Sequence, residues 1–426
     1  MSMQQKSLRE KDREYVWHPL TQHKTSGEMM PLARAQGALL FDPKDKAYID
    51  GISSWYTAVY GHCHPEIIGA VRAQMETLDQ VVFSGFTHRP AVNLAEKLLG
   101  VLPGQMSKVF YSDNGSTATE IGIKMALQYH FNQGEKRPVL LAFEEGFHGD
   151  TFGAMSVSGL SVYNGPFEDF FLEVKRLPVP TEVNKDQVLS TARALLAKNK
   201  VAGFIYEPLV QGAAGMRIYS ASGLDELLGL MKKQEVICIA DEVMTGFGKT
   251  GELFASSTLT NQPDIICLSK ALTAGMVPMA VTACTEKIYQ AFYHDEIGKG
   301  LFHGHTYTAN PLACVAARRA LELLQSAEIQ AGIRRIRTAN ELFAAEMRSH
   351  PKVTKVRTLG VIFALDLKIE MDRYGNLRDK MYRGFMERGV FLRPLGKTIY
   401  TLPPYVTTID QLEAIFQSIR EVVDTI

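Results

Sequence analysis

Short apolar strand-like runs alternating with helical stretches predict an α/β fold. The expected arrangement is a mostly parallel sheet in a large domain, covered by helices on both faces, with a smaller α+β domain beside it. Three observations carry this. The runs Lys108–Tyr111, Val139–Phe143, Phe204–Tyr206, Val236–Ala240 and Ile265–Leu268 are separated by helical or loop segments. The chain has 426 residues, and at about 150 residues per domain it has room for two or three domains. Beyond about Pro311 it has strand and helix signals of its own.

In chain order, the clearest helix follows Gly115, with Ala118, Ile121, Gly122, Met125, Ala126 and Tyr129 forming one stripe at helical spacing. Another opens with Asn310 as N-cap and Pro311 at the first helical position, then runs through Leu312, Val315, Ala316, Ala320, Leu323 and Leu324. The last begins at Thr408 with Gln411 three residues on, a capping-box pattern. It carries Leu412, Ile415, Phe416, Ile419, Val422 and Val423 on one face. No internal repeat or low-complexity tract is present.

Lys+Arg and Asp+Glu both number 46, so no net field attracts nucleic acid or an anionic membrane. A small-molecule enzyme fits that balance. Cys63, Cys238, Cys267, Cys284 and Cys314 lie mostly in apolar stretches and read as reduced thiols. Met1 to Tyr15 has no apolar signal core, and no run of 18 apolar residues occurs. The expected location is the cytoplasm.

Asp241 and Lys270 each end a short apolar run. Singly they read as ordinary strand-end charges; together they describe a site for pyridoxal 5'-phosphate. An acid beside the pyridine nitrogen keeps it protonated, so that the ring withdraws electrons, and a lysine amine binds the aldehyde. Asp241–Glu242–Val243 continues into Thr245–Gly246–Phe247–Gly248–Lys249–Thr250–Gly251, and Lys270 stands between Ser269 and Ala271–Leu272–Thr273–Ala274–Gly275. With these stretches the chain resembles the class III pyridoxal phosphate aminotransferases over nearly its whole length. The resemblance implies the type I fold of such transferases, with a large cofactor-binding domain over 61–310 and a small domain joining 1–60 to 311–426.

The cofactor's phosphate needs backbone N–H donors at a helix N-terminus, and Ser112–Asp113–Asn114–Gly115–Ser116–Thr117 sits at a strand-to-helix junction. Gly115 and Ser116 are the candidates; helix capping by the same turn is the alternative and is compatible. In the family, the aromatic residue at Phe147, in Phe147–His148–Gly149–Asp150–Thr151, stacks on the pyridine ring. Val243, two residues after Asp241 in an expected extended stretch, would reach the opposite ring face. Glu207 would lie near cofactor or substrate, or form a strand-end salt bridge. Thr306, in His303–Gly304–His305–Thr306, would reach the phosphate of a neighbouring subunit, which implies a homodimer with shared sites.

Other motifs are weaker. Gly246-x-Gly248-x-x-Gly251 matches a dinucleotide fingerprint, but an acidic pair separates it from its strand and no helix pattern follows. Gly248–Lys249–Thr250 imitates the end of a P-loop, yet Val243 stands where its first glycine belongs. His62–Cys63–His64 and His303–Gly304–His305 are tightly spaced without a third cluster, so no metal is expected.

Trp17–His18–Pro19, Gly51–Ile52–Ser53–Ser54–Trp55–Tyr56, His148–Gly149–Asp150–Thr151–Phe152–Gly153–Ala154–Met155–Ser156, Gln211–Gly212–Ala213–Ala214–Gly215–Met216–Arg217 and Arg393–Pro394–Leu395–Gly396–Lys397 resemble the branch of the family that converts 8-amino-7-oxononanoate to 7,8-diaminononanoate in biotin formation. That substrate is a long apolar chain ending in a carboxylate. Arg393 can clamp the carboxylate and Trp55 can line the alkyl path, with Phe147 and Gly304 as further substrate neighbours. A salt bridge for Arg393 and a core position for Trp55 are the alternatives. Leu20, Phe147, His305, Leu395 and Lys249 depart from the branch's usual residues, and lysine cannot reproduce an arginine fork. The amino donor is therefore open between S-adenosylmethionine and a simpler amine such as lysine. An ω-amino acid or diamine aminotransferase, an aminomutase and a non-enzymatic ligand-binding relative are the other readings.

Overall fold

The computed structural model describes residues 6–161, 164–370 and 376–426. At its centre, β1 (Met106–Ser112), β2 (Val139–Phe143), β3 (Val174–Leu177), β4 (Val201–Tyr206), β5 (Ile237–Asp241), β6 (Ile265–Leu268) and β7 (Ala280–Thr285) form one sheet in the order β1-β7-β6-β5-β4-β2-β3. Neighbours from β3 through β6 pair in parallel, while β7 is antiparallel to both β6 and β1. The mostly parallel α/β sheet expected from the sequence is the one found.

Successive residues along its central strands alternate between two cores. Ile237 and Ile239 of β5, Leu140 and Ala142 of β2, and Ile265 and Cys267 of β6 share one core with Ala118, Ile121 and Ala126 of α1 (Gly115–Asn132). Cys238, Ala240, Leu141, Phe143, Ile266 and Leu268 belong to the core on the other side. Both faces are dry, which is why these strands read as unbroken apolar runs rather than as alternating ones. Gly122 lets α1 lie close on the sheet: a Cβ there would come within 3.2 Å of Cys267 Sγ and 3.3 Å of Ile239 Cγ2.

Two strands had no clear signal. β3, Val-Lys-Arg-Leu, is a short edge strand, and β7, Ala-Val-Thr-Ala-Cys-Thr, is built from small residues. Three helix caps follow the sequence expectation. Asn114 accepts from Thr117 N in a full capping box; Asn310 accepts from Leu312 N and Ala313 N ahead of α2 (Pro311–Leu324); and Thr408 and Gln411 close the box on α3 (Ile409–Thr425).

The chain ends meet in a second sheet. Arg34–Gln36, Leu39–Phe41 and Ala47–Asp50 form a meander, and Val390–Phe391 joins Ala47–Asp50 in parallel, placing Val390 beside Ile49 and Phe391 beside Asp50. Val353–Leu359, Ile362–Leu367 and Thr398–Thr401 form an antiparallel sheet. On the pairing of the two ends we propose the division into 61–310 and 1–60 with 311–426, although α2 packs on the helices Pro65–Met75 and Arg89–Leu99 across that boundary. Among the described residues no helix is long and apolar enough to cross a membrane.

Candidate active site

Asp241 is the last residue of β5 and shares the α1-facing parity of Ile237 and Ile239. It is 4% exposed. Its Oδ1 accepts from Val243 N at 3.0 Å and its Oδ2 lies 2.7 Å from His148 Nδ1. A carboxylate only accepts, so His148 Nδ1 carries the proton. His148 is itself held by its backbone N–H, which donates to Ser158 Oγ at 2.9 Å. The Val243 bond corrects the expected extended stretch: past Glu242 the backbone turns over the Asp241 carboxylate instead of continuing as strand. The segment beyond is a string of turns with Gly248 and Gly251 at positive φ, closed by a single 3₁₀ turn at Ala255–Thr258.

Lys270 follows the adjacent strand β6, in which Cys267 pairs with Asp241. Its φ of 49° is left-handed, a conformation costing a non-glycine residue about 1–2 kcal/mol. Among the described residues no hydrogen bond or ion pair engages its amine. Burial draws that amine below the usual lysine range, against the pull of the Asp241 and Glu207 charges. The residue keeps some exposure. Lys249, by contrast, is fully buried and donates from Nζ to Gly246 O at 2.9 Å. Burial first, then the Lys270 charge, push its amine down to about 7.

Glu207 follows β4 and is 4% exposed. Its two oxygens accept from Phe147 N at 3.0 Å and Gly212 N at 2.9 Å. Burial raises its carboxyl to about 7, with Asp241 adding to the rise and His148 opposing it. Glu207 therefore fixes the backbone of Phe147, a residue that is 43% exposed. Neither His148's hold on Asp241 nor Glu207's hold on Phe147 was read from the sequence; the only signal for His148 was its place in stretches that resemble the family.

At the start of α1 the cap uses Thr117 N, leaving the N–H groups of Gly115 and Ser116 without an intrahelical acceptor. Ser116 Oγ accepts from Asp150 N at 3.1 Å. A Cβ on Gly115 would lie 2.8 Å from Val243 Cγ1, so Val243 is seated directly against this turn. Free helix N–H groups, an unpaired lysine amine and a buried carboxylate fixed through a histidine are the donors, nucleophile and anion that pyridoxal 5'-phosphate requires. The residues fit the cofactor.

The outer part is built differently. Ser53, Ser54, Trp55 and Tyr56 form a left-handed turn with φ between 45° and 72°. Asp50, fully buried, holds it: Oδ1 accepts from Ile52 N at 3.2 Å, and Oδ2 accepts from Ser54 Oγ at 2.9 Å and lies 2.8 Å from His62 Nε2. Ser53 Oγ donates to Leu402 O at 2.7 Å. Such strain persists only where the surroundings over-determine it. The turn places Trp55, 40% exposed, under the Arg393 guanidinium, 4.9 Å from its ring centroid. The buried Tyr56 phenol feels the charges of both Glu207 and Arg393, which links this pair to the inner groups. Gly304 and Thr306 lie on an exposed loop with no described contact to Lys270 or Asp241; the Thr306 carbonyl accepts from Gln80 Nε2 at 2.9 Å.

The family profile of aminotransferase class-III matches residues 21–423. The chain belongs to the class-III aminotransferases. It is thus a pyridoxal phosphate-dependent transaminase. An adenosylmethionine-8-amino-7-oxononanoate aminotransferase of Synechococcus elongatus is 41% identical over 423 residues, 97% of this chain and 99% of its own length. The crystal structure of the Methanocaldococcus jannaschii protein of the same name superposes with a TM-score of 0.92 at 32% identity, covering 98% of both chains. An amine transaminase from an uncultivated Pseudomonas species, solved in its PLP-bound form, gives a TM-score of 0.90 at 27% identity over 96% of this chain and 98% of its own.

Proposed function

We propose that this enzyme transfers an amino group to 8-amino-7-oxononanoate, giving 7,8-diaminononanoate for biotin formation, in the cytoplasm and as a homodimer. S-adenosylmethionine is the proposed donor. The observation that carries the acceptor is the Arg393 guanidinium over the Trp55 indole, 4.9 Å from its centroid. It offers a carboxylate clamp beside an apolar wall, and the near full-length relatives bearing the acceptor's name support it. Leu20 and Lys249 are the residues that favour testing lysine as a second donor.

Bound pyridoxal 5'-phosphate supplies an electron-withdrawing ring and an aldehyde that exchanges with amines. We assign the Gly115 and Ser116 N–H groups to its phosphate, the Asp241 carboxylate to its ring nitrogen, and Phe147 and Val243 to the two ring faces. The Lys270 amine, drawn down by burial and free of partners, is the base that takes and returns the proton at the substrate carbon. Arg393 holds the acid end and Trp55 the alkyl chain, so the reacting carbon is set at a fixed distance from the clamp.

Adding 7,8-diaminononanoate to the purified holoenzyme tests the acceptor without regard to the donor. Conversion of the cofactor's visible band to its amine form is expected. A band that stays unchanged with this diamine but responds to an ω-amino acid contradicts the acceptor.

A further inference from the structure

The loop that carries Gly304 and Thr306 is tied to α1 by a chain of side chains whose protons can be placed from geometry. Lys124 Nζ, on α1, lies 3.0 Å from His303 Nδ1. His303 Nε2 lies 2.9 Å from His305 Nε2, and His305 Nδ1 lies 3.3 Å from Asp113 Oδ2, in the turn before α1. The His303 ring also meets Phe110 of β1 edge-on. An ammonium only donates, so His303 Nδ1 is an acceptor and the single proton of neutral His303 is on Nε2. That N–H must then donate to His305 Nε2, which leaves the His305 proton on Nδ1, facing the Asp113 carboxylate. One arrangement satisfies every contact.

We propose that His303 and His305 are positioning residues that hold the Gly304–Thr306 loop against the phosphate-binding end of α1 through this one-directional relay, which exists only while both imidazoles are neutral. The inference rests on the assignment of Gly115 and Ser116 to the phosphate. A second proton on His303 Nδ1 would face Lys124, and one on His305 Nε2 would face the His303 N–H. The groups around the pair are Lys124 and Glu120 from α1 and Asp113 before it. Burial, then Lys124 and His305, hold His303 below the ordinary histidine value, with Glu120 opposing. The sign follows: a histidine depressed in the folded loop stabilises the loop above about pH 6.5 and loses that contribution as pH falls below it. The loop's other ties to α1 do not titrate. Gln128 Nε2 donates to Gly300 O at 2.9 Å, and Asn132 Nδ2 donates to Lys299 O at 2.9 Å. Acid therefore removes the tie of the Gly304–Thr306 end to α1, leaving that end held by Gln80 Nε2 at the Thr306 carbonyl, while the start stays attached.

Histidine side-chain nitrogen NMR on the holoenzyme at pH 8, assigned with His303→Gln and His305→Gln, should find the Nε2–H tautomer at His303 and the Nδ1–H tautomer at His305. Either opposite tautomer overturns the relay. The rate of cofactor release, followed by absorbance after dilution between pH 8 and 5.5, gives a second readout. Loss of the charge-assisted bond from Lys124 to His303 should speed wild-type release about tenfold more on acidification than release from His303→Gln. Equal acceleration in both overturns the positioning role. Neither readout uses a substrate, so failure here is separable from failure of the proposed acceptor; unchanged tautomers with equal release would leave the hydrogen bonds in place and remove only their role.

Discussion

The inner and outer halves of the site are held by different means. Asp241 and Lys270 sit at the ends of neighbouring parallel strands with dry cores on both faces, and among the described residues the hydrogen bonds to the Asp241 carboxylate come from Val243 N and the buried His148. Trp55, Phe147, Arg393 and Thr306 come from four distant segments; Trp55, Phe147 and Thr306 are exposed and Arg393 is half-buried. Order in that half depends on a strained left-handed turn, a buried carboxyl at Glu207 and a histidine-tied loop. A rigid sheet edge suits groups that must act on a common cofactor; segments from separate elements suit contacts that differ between substrates.

Four substitutions would break or sharpen that contrast. Lys270→Ala should lower steady-state transamination at least about a thousandfold, measured with any donor and acceptor pair; a variant that turns over normally removes the inner half's central assignment. Asp241→Asn should cost about a hundredfold or more in kcat while the cofactor stays bound, checked by absorbance of the dialysed protein. Arg393→Ala belongs to the outer half and should raise KM for the acceptor about 10- to 100-fold through loss of a charge-assisted clamp. The donor half-reaction, followed by single-turnover absorbance, should change little. Equal damage to both halves would assign Arg393 to structure.

The smallest expected effect is on stability. Folding depresses the Lys249 amine from 10.5 to about 7, so burying it opposes folding, and the penalty fades as pH rises from 7 toward 10.5. Lys249→Met should therefore melt higher than wild type at pH 7, with an advantage that shrinks steadily to pH 10 in thermal scans. An advantage independent of pH would mean that folding leaves the proton on this amine, so that it stays charged when buried.

The sequence made the inner half legible because strand-end residues inherit their surroundings from runs that local composition reveals. Asp241 and Lys270 each close a stretch too apolar to face water. β3 escaped because an edge strand buries only part of its surface, and β7 because its two alanines dilute the strand signal of Val281 and the two threonines. The turn at Val243 was hidden because a side chain, the Asp241 carboxylate, dictates it. His148 and Glu207 act across 93 and 60 residues of chain, a separation that no local pattern encodes. The same holds for His62, which looked like half of a metal motif and instead steadies the left-handed turn through Asp50. The caps at Asn114, Asn310 and Thr408 were readable because donor and acceptor lie within three residues.

Borohydride reduction of the holoenzyme, followed by proteolysis and peptide mass spectrometry, tests the inner half most directly, because it fixes the cofactor to whichever amine carries it. The account predicts a single pyridoxyl adduct on Lys270 that disappears in Lys270→Ala. An adduct on Lys249, the other lysine buried beside the site, or on no lysine at all, would contradict it.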